Sequence, residues 1–285
     1  MTRFAFTYGS EQLNIASSYK YLGIILDEHL KYDVCVKTLA SSGGRALGGI
    51  IAKFRSLKGI GYNSFSKMYF AGVQPILEYA SGVWGYTKSK EIDYIQNRAF
   101  RYFLGVNRFS PIAGMAGDMG WISHTLGRYL CMVRLWNRLV IMPNDRLTKK
   151  IFAWDREMAN GWSSEIEKVF CQLDLVDIYN ENRTCDLENV KIRLKTIMEQ
   201  NWSQDVNGKP KLRTYKLFKN DFITENYVHI NNRQKRSVLA QFRLGVLPLR
   251  IETGRWYNGI DLENRTCEIC KNGEIEDECH DTIHR

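Results

Sequence analysis

Apolar positions along the chain change their period once, near residue 30, and the change separates a short β segment from a long helical one. Before it, Phe4-Ala-Phe-Thr and Leu13-Asn-Ile alternate weakly on either side of a Tyr8-Gly9-Ser10 turn signal. Tyr19-Lys-Tyr-Leu-Gly-Ile-Ile-Leu-Asp27 is rich in strand formers and, taken alone, reads as a buried strand ending at a helix. The glycine inside it lets another backbone come close or permits a bend. From Tyr32 onward the apolar residues return at threes and fours: Tyr32, Cys35, Val36, Leu39, Leu47, Ile50, Ile51 and Phe54. That spacing predicts one face of a helix. Gly43, Gly44, Gly48 and Gly49 lower its intrinsic helix preference and point to a close crossing by a second helix.

A second helix is predicted over residues 65–84, with Ser64 as its N-cap and a kink at Pro75. A third, over 92–104, buries Ile92, Ile95, Ala99, Phe100 and Phe103 and leaves Arg98 and Arg101 on its other side, one turn apart. Further helices are predicted over 128–140, 145–158, 164–175 and 187–199. Asn207-Gly208 and Pro210 make 201–211 a loop. A last helical run carries Val238, Leu239, Phe242 and Leu244, and no internal repeat is present. The expected fold class is mainly α: a short N-terminal β-hairpin, a helical bundle, and a helical C-terminal region with a small Cys/His end.

Composition adds a class and a charge. A 285-residue chain with 44% hydrophobic residues, including 7 Trp, 15 Tyr and 13 Phe, can fill a real core. Its net charge of +9 fits an anionic partner. The seven cysteines are an odd number, four of them scattered singly among apolar residues, and Met1-Thr-Arg-Phe opens no signal-peptide pattern. Reduced cysteine in an intracellular setting, nuclear or cytoplasmic, is therefore expected. The apolar run 70–83 is broken by Gln74, Pro75 and Glu78, so no membrane span is expected.

Three groups of residues carry candidate chemistry. Lys209, Lys211, Arg213, Lys216 and Lys219 interleave with Tyr215 and Phe218, and Arg233, Lys235, Arg236 and Arg243 sit in the last helical run. Cations neutralise phosphates and aromatic faces accept stacked bases, which suits a single strand or a primer–template. The same composition also describes a solvated basic helix. Near the end of the sequence, Cys267 and Cys270 form a Cys-x-x-Cys knuckle, and His280 follows ten positions later. Zinc takes four sulfur or nitrogen donors in a tetrahedron, and this count stops at three. His284 or Cys279 could complete the set, although Cys279 adjoins His280 and is awkward for the same ion; a tail of free thiols is the plainer alternative. A nucleophilic pair such as Cys131 with His124 can be drawn, but nothing in the sequence orients it.

Five of these stretches, in this order, resemble the C-terminal part of LINE-type (non-long-terminal-repeat) retrotransposon reverse transcriptases. Tyr19–Asp27 looks like the primer-grip strand, and Gln96-Asn-Arg-Ala-Phe-Arg-Tyr-Phe-Leu-Gly-Val106 is similar to a thumb helix. Pro210-Lys-Leu-Arg-Thr-Tyr-Lys-Leu-Phe-Lys219, Ile251-Glu-Thr-Gly-Arg255 and the Cys-x-x-Cys…Ile-Glu-Asp-Glu-x-His ending resemble the region beyond that thumb. The resemblance implies a palm remnant with the grip hairpin over 1–28, a thumb-like bundle over 29–145, a basic helical region over 146–255 and a truncated zinc-knuckle-like stub over 256–285. It implies that Tyr21, Leu22 and Gly23 position a primer end, that Arg98 and Arg101 reach phosphate, and that the helices of 32–104 pack along a duplex minor groove. It further implies that Lys211, Arg213, Lys216, Lys219, Arg233, Lys235 and Arg236 track RNA or target DNA. Cys267, Cys270 and His280 match three ligands of the family's Cys-Cys-His-Cys zinc site. The fourth cysteine's place is taken here by Arg285, and the aromatic that follows the histidine by Asp281.

The family's chemistry is two-metal phosphoryl transfer by palm carboxylates that precede the grip. Here 18 residues precede Tyr19, their sole acid is Glu11, and Asp-Asp occurs nowhere in the sequence. The resemblance therefore implies no polymerase activity from this chain alone, no Mg²⁺, a zinc ion at the Cys/His end, RNA or DNA as partner, and association with a complete polymerase of the element. A host-adopted nucleic-acid-binding protein and an inert remnant are the alternatives.

Overall fold

A computed structural model describes residues 6–56, 60–254 and 259–280 of the chain. Two small antiparallel ladders come first: β1 (Thr7–Tyr8) with β2 (Glu11–Gln12), and β3 (Ser18–Tyr21) with β4 (Ile24–Asp27), Tyr21 lying opposite Ile24. The stretch Tyr19–Asp27 is thus a hairpin and not one buried strand. Leu22 (φ 47°) and Gly23 (φ 87°) supply the two left-handed positions that a tight two-residue turn demands. β3 is exposed along its length, while Ile24, Ile25 and Leu26 of β4 lie against the first apolar core. Of the weaker strands, residues 4 and 5 fall outside the described residues, and 13–15 are not strand.

Helix α1 (Asp33–Ser56) follows, burying Cys35, Val36, Leu39, Leu47, Ile51 and Phe54. Where one helix over 65–84 is expected, the chain makes three: α2 (Tyr62–Gly72), α3 (Gln74–Leu77) and α4 (Ser81–Trp84). Pro75 does not kink a continuing helix; it sits in the first turn of a new one, where its missing N–H is not needed. Ala80, at φ 53°, breaks the path again. Gly61 caps α2 in place of Ser64 and makes no side-chain cap bond. The close crossing expected at the α1 glycines is present at two of them. A Cβ on Gly43 would lie 2.4 Å from Leu77 Cδ2, and one on Gly44 3.2 Å from Ile95 Cδ1; Gly49 faces nothing within 4 Å.

α5 (Lys90–Leu104) starts at Ser89, whose Oγ accepts from the Ile92 N–H at 3.2 Å, and stops at Gly105 with φ 71°. Then come α6 (Ile112–Met119), α7 (His124–Val140), α8 (Leu147–Met158), α9 (Trp162–Gln172), α10 (Val176–Asn180) and α11 (Leu187–Gly208). The loop expected at 201–211 is helical as far as Gly208, because Trp202 and Val206 pack beneath α6 and Trp202 Nε1 donates to the Ala113 carbonyl at 2.9 Å. Tertiary burial there overrides turn chemistry. The chain continues through α12 (Tyr215–Phe218), α13 (Arg233–Arg243) and α14 (Arg250–Thr253).

Two apolar clusters fill the molecule. One gathers α1–α6 with Trp202, Tyr215, Val228, Ala240 and Leu244. The other is built on Met132, Trp136, Phe152, Phe170, Tyr179 and Leu194, and so runs across residue 145. α11 serves both, through Val190 and Leu194 at its start and Trp202 and Val206 near its end. The fold is mainly helical, with its small sheets near the N-terminus. Among the described residues no helix is long and apolar enough to cross a membrane.

Candidate metal centre and nucleic-acid interface

The Cys/His loop is shaped by its own backbone. Cys267 N–H donates to the Glu274 carbonyl and Glu276 N–H to the Arg265 carbonyl, both at 3.0 Å, closing a short ladder around a turn. Lys271 (φ 53°) and Gly273 (φ 80°) take the left-handed positions of that turn. A short helical turn ends the loop, its first free N–H groups capped where Asp277 Oδ1 accepts from His280 N–H at 2.8 Å. The result brings the donor atoms of Cys267, Cys270 and His280 within 4.8 Å of one another. Cys270 Sγ lies 3.3 Å from His280 Nε2. Bond lengths of about 2.3 Å for Zn–S and 2.0 Å for Zn–N put tetrahedral S and N donors roughly 3.5 Å apart, so the trio converges at the right scale.

The surroundings favour the thiolate of Cys267 and orient the ring of His280. Glu274 Oε2, at 3.1 Å from His280 Nδ1, fixes the ring so that Nε2 faces the sulfurs. A hydrogen bond from the Cys270 backbone N–H, working against burial, holds the Cys267 thiol down to about 7, with Ile269 N–H and His280 adding to it. For His280 burial pulls the pKa down, but hydrogen bonds with Cys267 and Glu274 outweigh it and the net direction is up. The cluster can hold a metal ion. Among the described residues it ends at three donors: Cys279 is exposed and lies outside it, and His284 falls outside the described residues.

No protein-family model, curated protein or solved structure matches the chain.

The expected nucleic-acid contacts divide into exposed and internal ones. Tyr21 is 57% and Leu22 74% exposed at the hairpin tip. Tyr79 Oη donates to the Leu22 carbonyl at 2.8 Å, and its ring sits 3.4 Å from where a Cβ on Gly23 would be. Arg233 and Lys235 are exposed on α13, Arg233 lying 5.1 Å over the Tyr102 ring. Lys216 is half-buried, its ammonium donating to the Asn207 carbonyl at 2.7 Å. Arg98 reaches back toward the Gly44 carbonyl of α1. Arg101 is half-buried beside a groove of about 880 Å³ between α5, α6, α7 and α11, and burial lowers its pKa.

Five of the cations singled out from sequence are engaged inside the protein, Arg243 with Asp118 and Glu225 among them. Lys219 is buried, paired with Glu225 at 2.7 Å and donating to the Ile223 carbonyl. Arg236 is 1% exposed, donates to the carbonyls of Phe103 (3.0 Å) and Ile230 (2.6 Å), and lies 4.0 Å over the Phe103 ring. Burial brings its pKa down to about 10. Arg213 joins Glu252 (3.2 Å) and Glu278 (2.8 Å), and Lys211 joins Glu252 (3.2 Å). A cation leaves water only for an anion or for carbonyls, and each of these has found them. The acids that claim them, Glu225, Glu252 and Glu278, stand between or after the basic clusters, but which would pair is not written in their spacing.

Sequence reasoning missed three things. Arg108 lines the same groove as Arg101, its guanidinium 4.7 Å over the Phe109 ring; the adjacent Arg-Phe pair was the available signal. Asp118 is fully buried, bound by Arg243 at 3.1 Å and by Tyr227 Oη at 2.6 Å. His124 is oriented after all, but not toward Cys131: Glu78 Oε1 meets its Nδ1 and Tyr69 Oη its Nε2, each at 2.8 Å. With Tyr69 and His124 both buried, the relay ties α2, the end of α3 and α7 together.

Proposed function

We propose that this chain is the nucleic-acid-holding part of a LINE-type retrotransposon polymerase, supplying grip and thumb surfaces and no catalysis of its own. The observation that carries the reading is the hairpin tip. Tyr21 and Leu22 stand in solvent on a ladder whose turn carbonyl is tied to the helical bundle by Tyr79. Apolar and aromatic groups press usefully on a sugar or base only when their support holds still, and that tie supplies the support. The order of hairpin, bundle, basic helix and Cys/Cys/His cluster agrees with the resemblance, and the net charge of +9 suits a phosphate backbone. Zinc is the proposed occupant of the cluster, since thiolate and imidazole donors suit a borderline-soft ion. Two filled apolar cores count against an inert remnant. The sequence holds no Asp-Asp, so magnesium-dependent extension would need carboxylates from a complete polymerase, the proposed associate.

The test is anisotropy with a labelled RNA–DNA primer–template across a salt series. Affinity should fall log-linearly with salt, with a slope of roughly −0.7 per phosphate neutralised on single-stranded parts. Leu22→Asp, at the exposed tip, should weaken binding, and Lys235→Glu should lower the slope. A flat salt response, or tip variants that bind unchanged, would contradict the grip assignment. Nucleotide incorporation by the chain alone with Mg²⁺ would contradict its non-catalytic half.

A further inference from the structure

Helix α8 buries one face, on which Lys149, Asp155 and Arg156 flank Phe152, and leaves a more apolar face in water. Phe152 is its buried residue, whereas Leu147, Ile151, Trp154 and Met158 are 71%, 53%, 61% and 52% exposed. Steps of four, three and four keep these residues on one stripe, and at about 100° per residue that stripe lies roughly 130° around the helix from Phe152. Packing against α7 and α9 therefore explains the inner face and leaves the outer one unexplained. A continuous exposed apolar stripe with a tryptophan near its middle marks an interaction surface.

The charges beside the stripe indicate what covers it. Lys150 and Glu157 are both exposed, lie seven residues apart on the same edge, and make no ion pair among the described residues. That edge is positive toward the start of the helix and negative toward its end. Laid antiparallel on a second copy of itself, the edge sets each Lys150 against the partner's Glu157, twice by symmetry. A parallel twofold pair would instead set that edge against the partner's other edge, which carries Thr148, and would form neither pair. The helix is complementary to its own reverse.

We propose that α8 is the seam of a symmetric antiparallel dimer of this chain, with the Leu147, Ile151, Trp154 and Met158 stripes interlocked and two Lys150–Glu157 pairs closing one edge. A 12-residue helix presents a seam about 18 Å long, which places the association among weak, micromolar interfaces.

Sedimentation velocity of the full chain, under reducing conditions and from roughly 1 to 100 µM, reads this directly. A monomer–dimer equilibrium is expected. Trp154→Glu should leave a monomer with unchanged helical circular dichroism and melting. Lys150→Glu should weaken the dimer by roughly tenfold, because it opposes like charges at both ends. Adding Glu157→Lys to that variant should restore association, a rescue within one chain that only antiparallel self-pairing explains. A monomer throughout the range would overturn the proposal, as would a dimer indifferent to Trp154→Glu or failure of the double swap to rescue. So would recruitment of a monomer to anionic vesicles, which would make the stripe a membrane-surface face.

Discussion

Asp118 lies where no water reaches, on a helix whose sequence, Ile-Ala-Gly-Met-Ala-Gly-Asp-Met, is otherwise apolar. Its carboxylate is kept there by the Arg243 fork and the Tyr227 hydroxyl, more than a hundred residues away in sequence. Removing one member of such a set strands the other in low dielectric. Asp118→Ala should therefore lower the unfolding free energy by about 3–5 kcal/mol, read from urea denaturation. The half-buried Lys216, by contrast, meets only a carbonyl, and Lys216→Ala should change stability by less than about 1 kcal/mol. Cations were legible from sequence as a population and illegible as individuals. Lys219 and Lys235 look alike in composition, yet one is shut inside with Glu225 and the other faces solvent. The difference is made by chain folding over long separations, which no local spacing records.

Local rules did much better at the scale of elements. α1 and α5 follow their apolar period, and α5 begins and ends on the residues whose chemistry demands it, Ser89 and Gly105. The elements that escaped are those where packing opposes propensity. α6 carries Gly114 and Gly117, poor helix formers, because Leu244, Tyr215 and Trp202 close on it: added Cβ atoms would lie 2.4 Å from Leu244 Cδ2 and 2.5 Å from Tyr215 Oη. The Leu22-Gly23 turn was not legible in the local pattern, where a leucine at positive φ is rarely foreseen, although an N-terminal hairpin was expected. The α1 glycines give a two-sided prediction. Gly43→Ala drives a methyl into Leu77 across the α1–α3 crossing and should destabilise by about 1–3 kcal/mol. Gly49→Ala meets open space on the same helix and should stabilise by up to about 1 kcal/mol. Thermal melts of the two variants should shift in opposite directions, and equal shifts would mean the crossing can relax.

The molecule as a whole joins two apolar cores to a loop that has almost none. Within the Cys/His loop Cys267 is the buried apolar residue, so order there depends on fastenings to the helices and on the proposed metal. Those fastenings are specific. Glu278 accepts from Arg213 at 2.8 Å and from Thr214 Oγ1 at 3.1 Å, while Ile251 N–H donates to the Glu276 carbonyl at 3.1 Å and Arg250 N–H to its carboxylate at 3.1 Å. The basic run 211–213, which looks from sequence like a track for phosphate, is thus the seat of the loop. Stripping the proposed metal with a chelator should free the loop while the cores, which contain none of the three donors, stay folded. Limited proteolysis should then cut within 260–280, while the main thermal transition persists and helical circular dichroism changes little. His280→Ala should reproduce that pattern without chelator. Glu278→Gln, which keeps the donors but weakens the seat, should raise cleavage in the loop while leaving stoichiometric zinc uptake in place. If chelation instead abolished the main transition, the loop would be part of the core's stability and not a module seated upon it. If neither chelator nor His280→Ala changed the cleavage pattern, the fastenings alone would hold it, and the three donors would not be its organising centre.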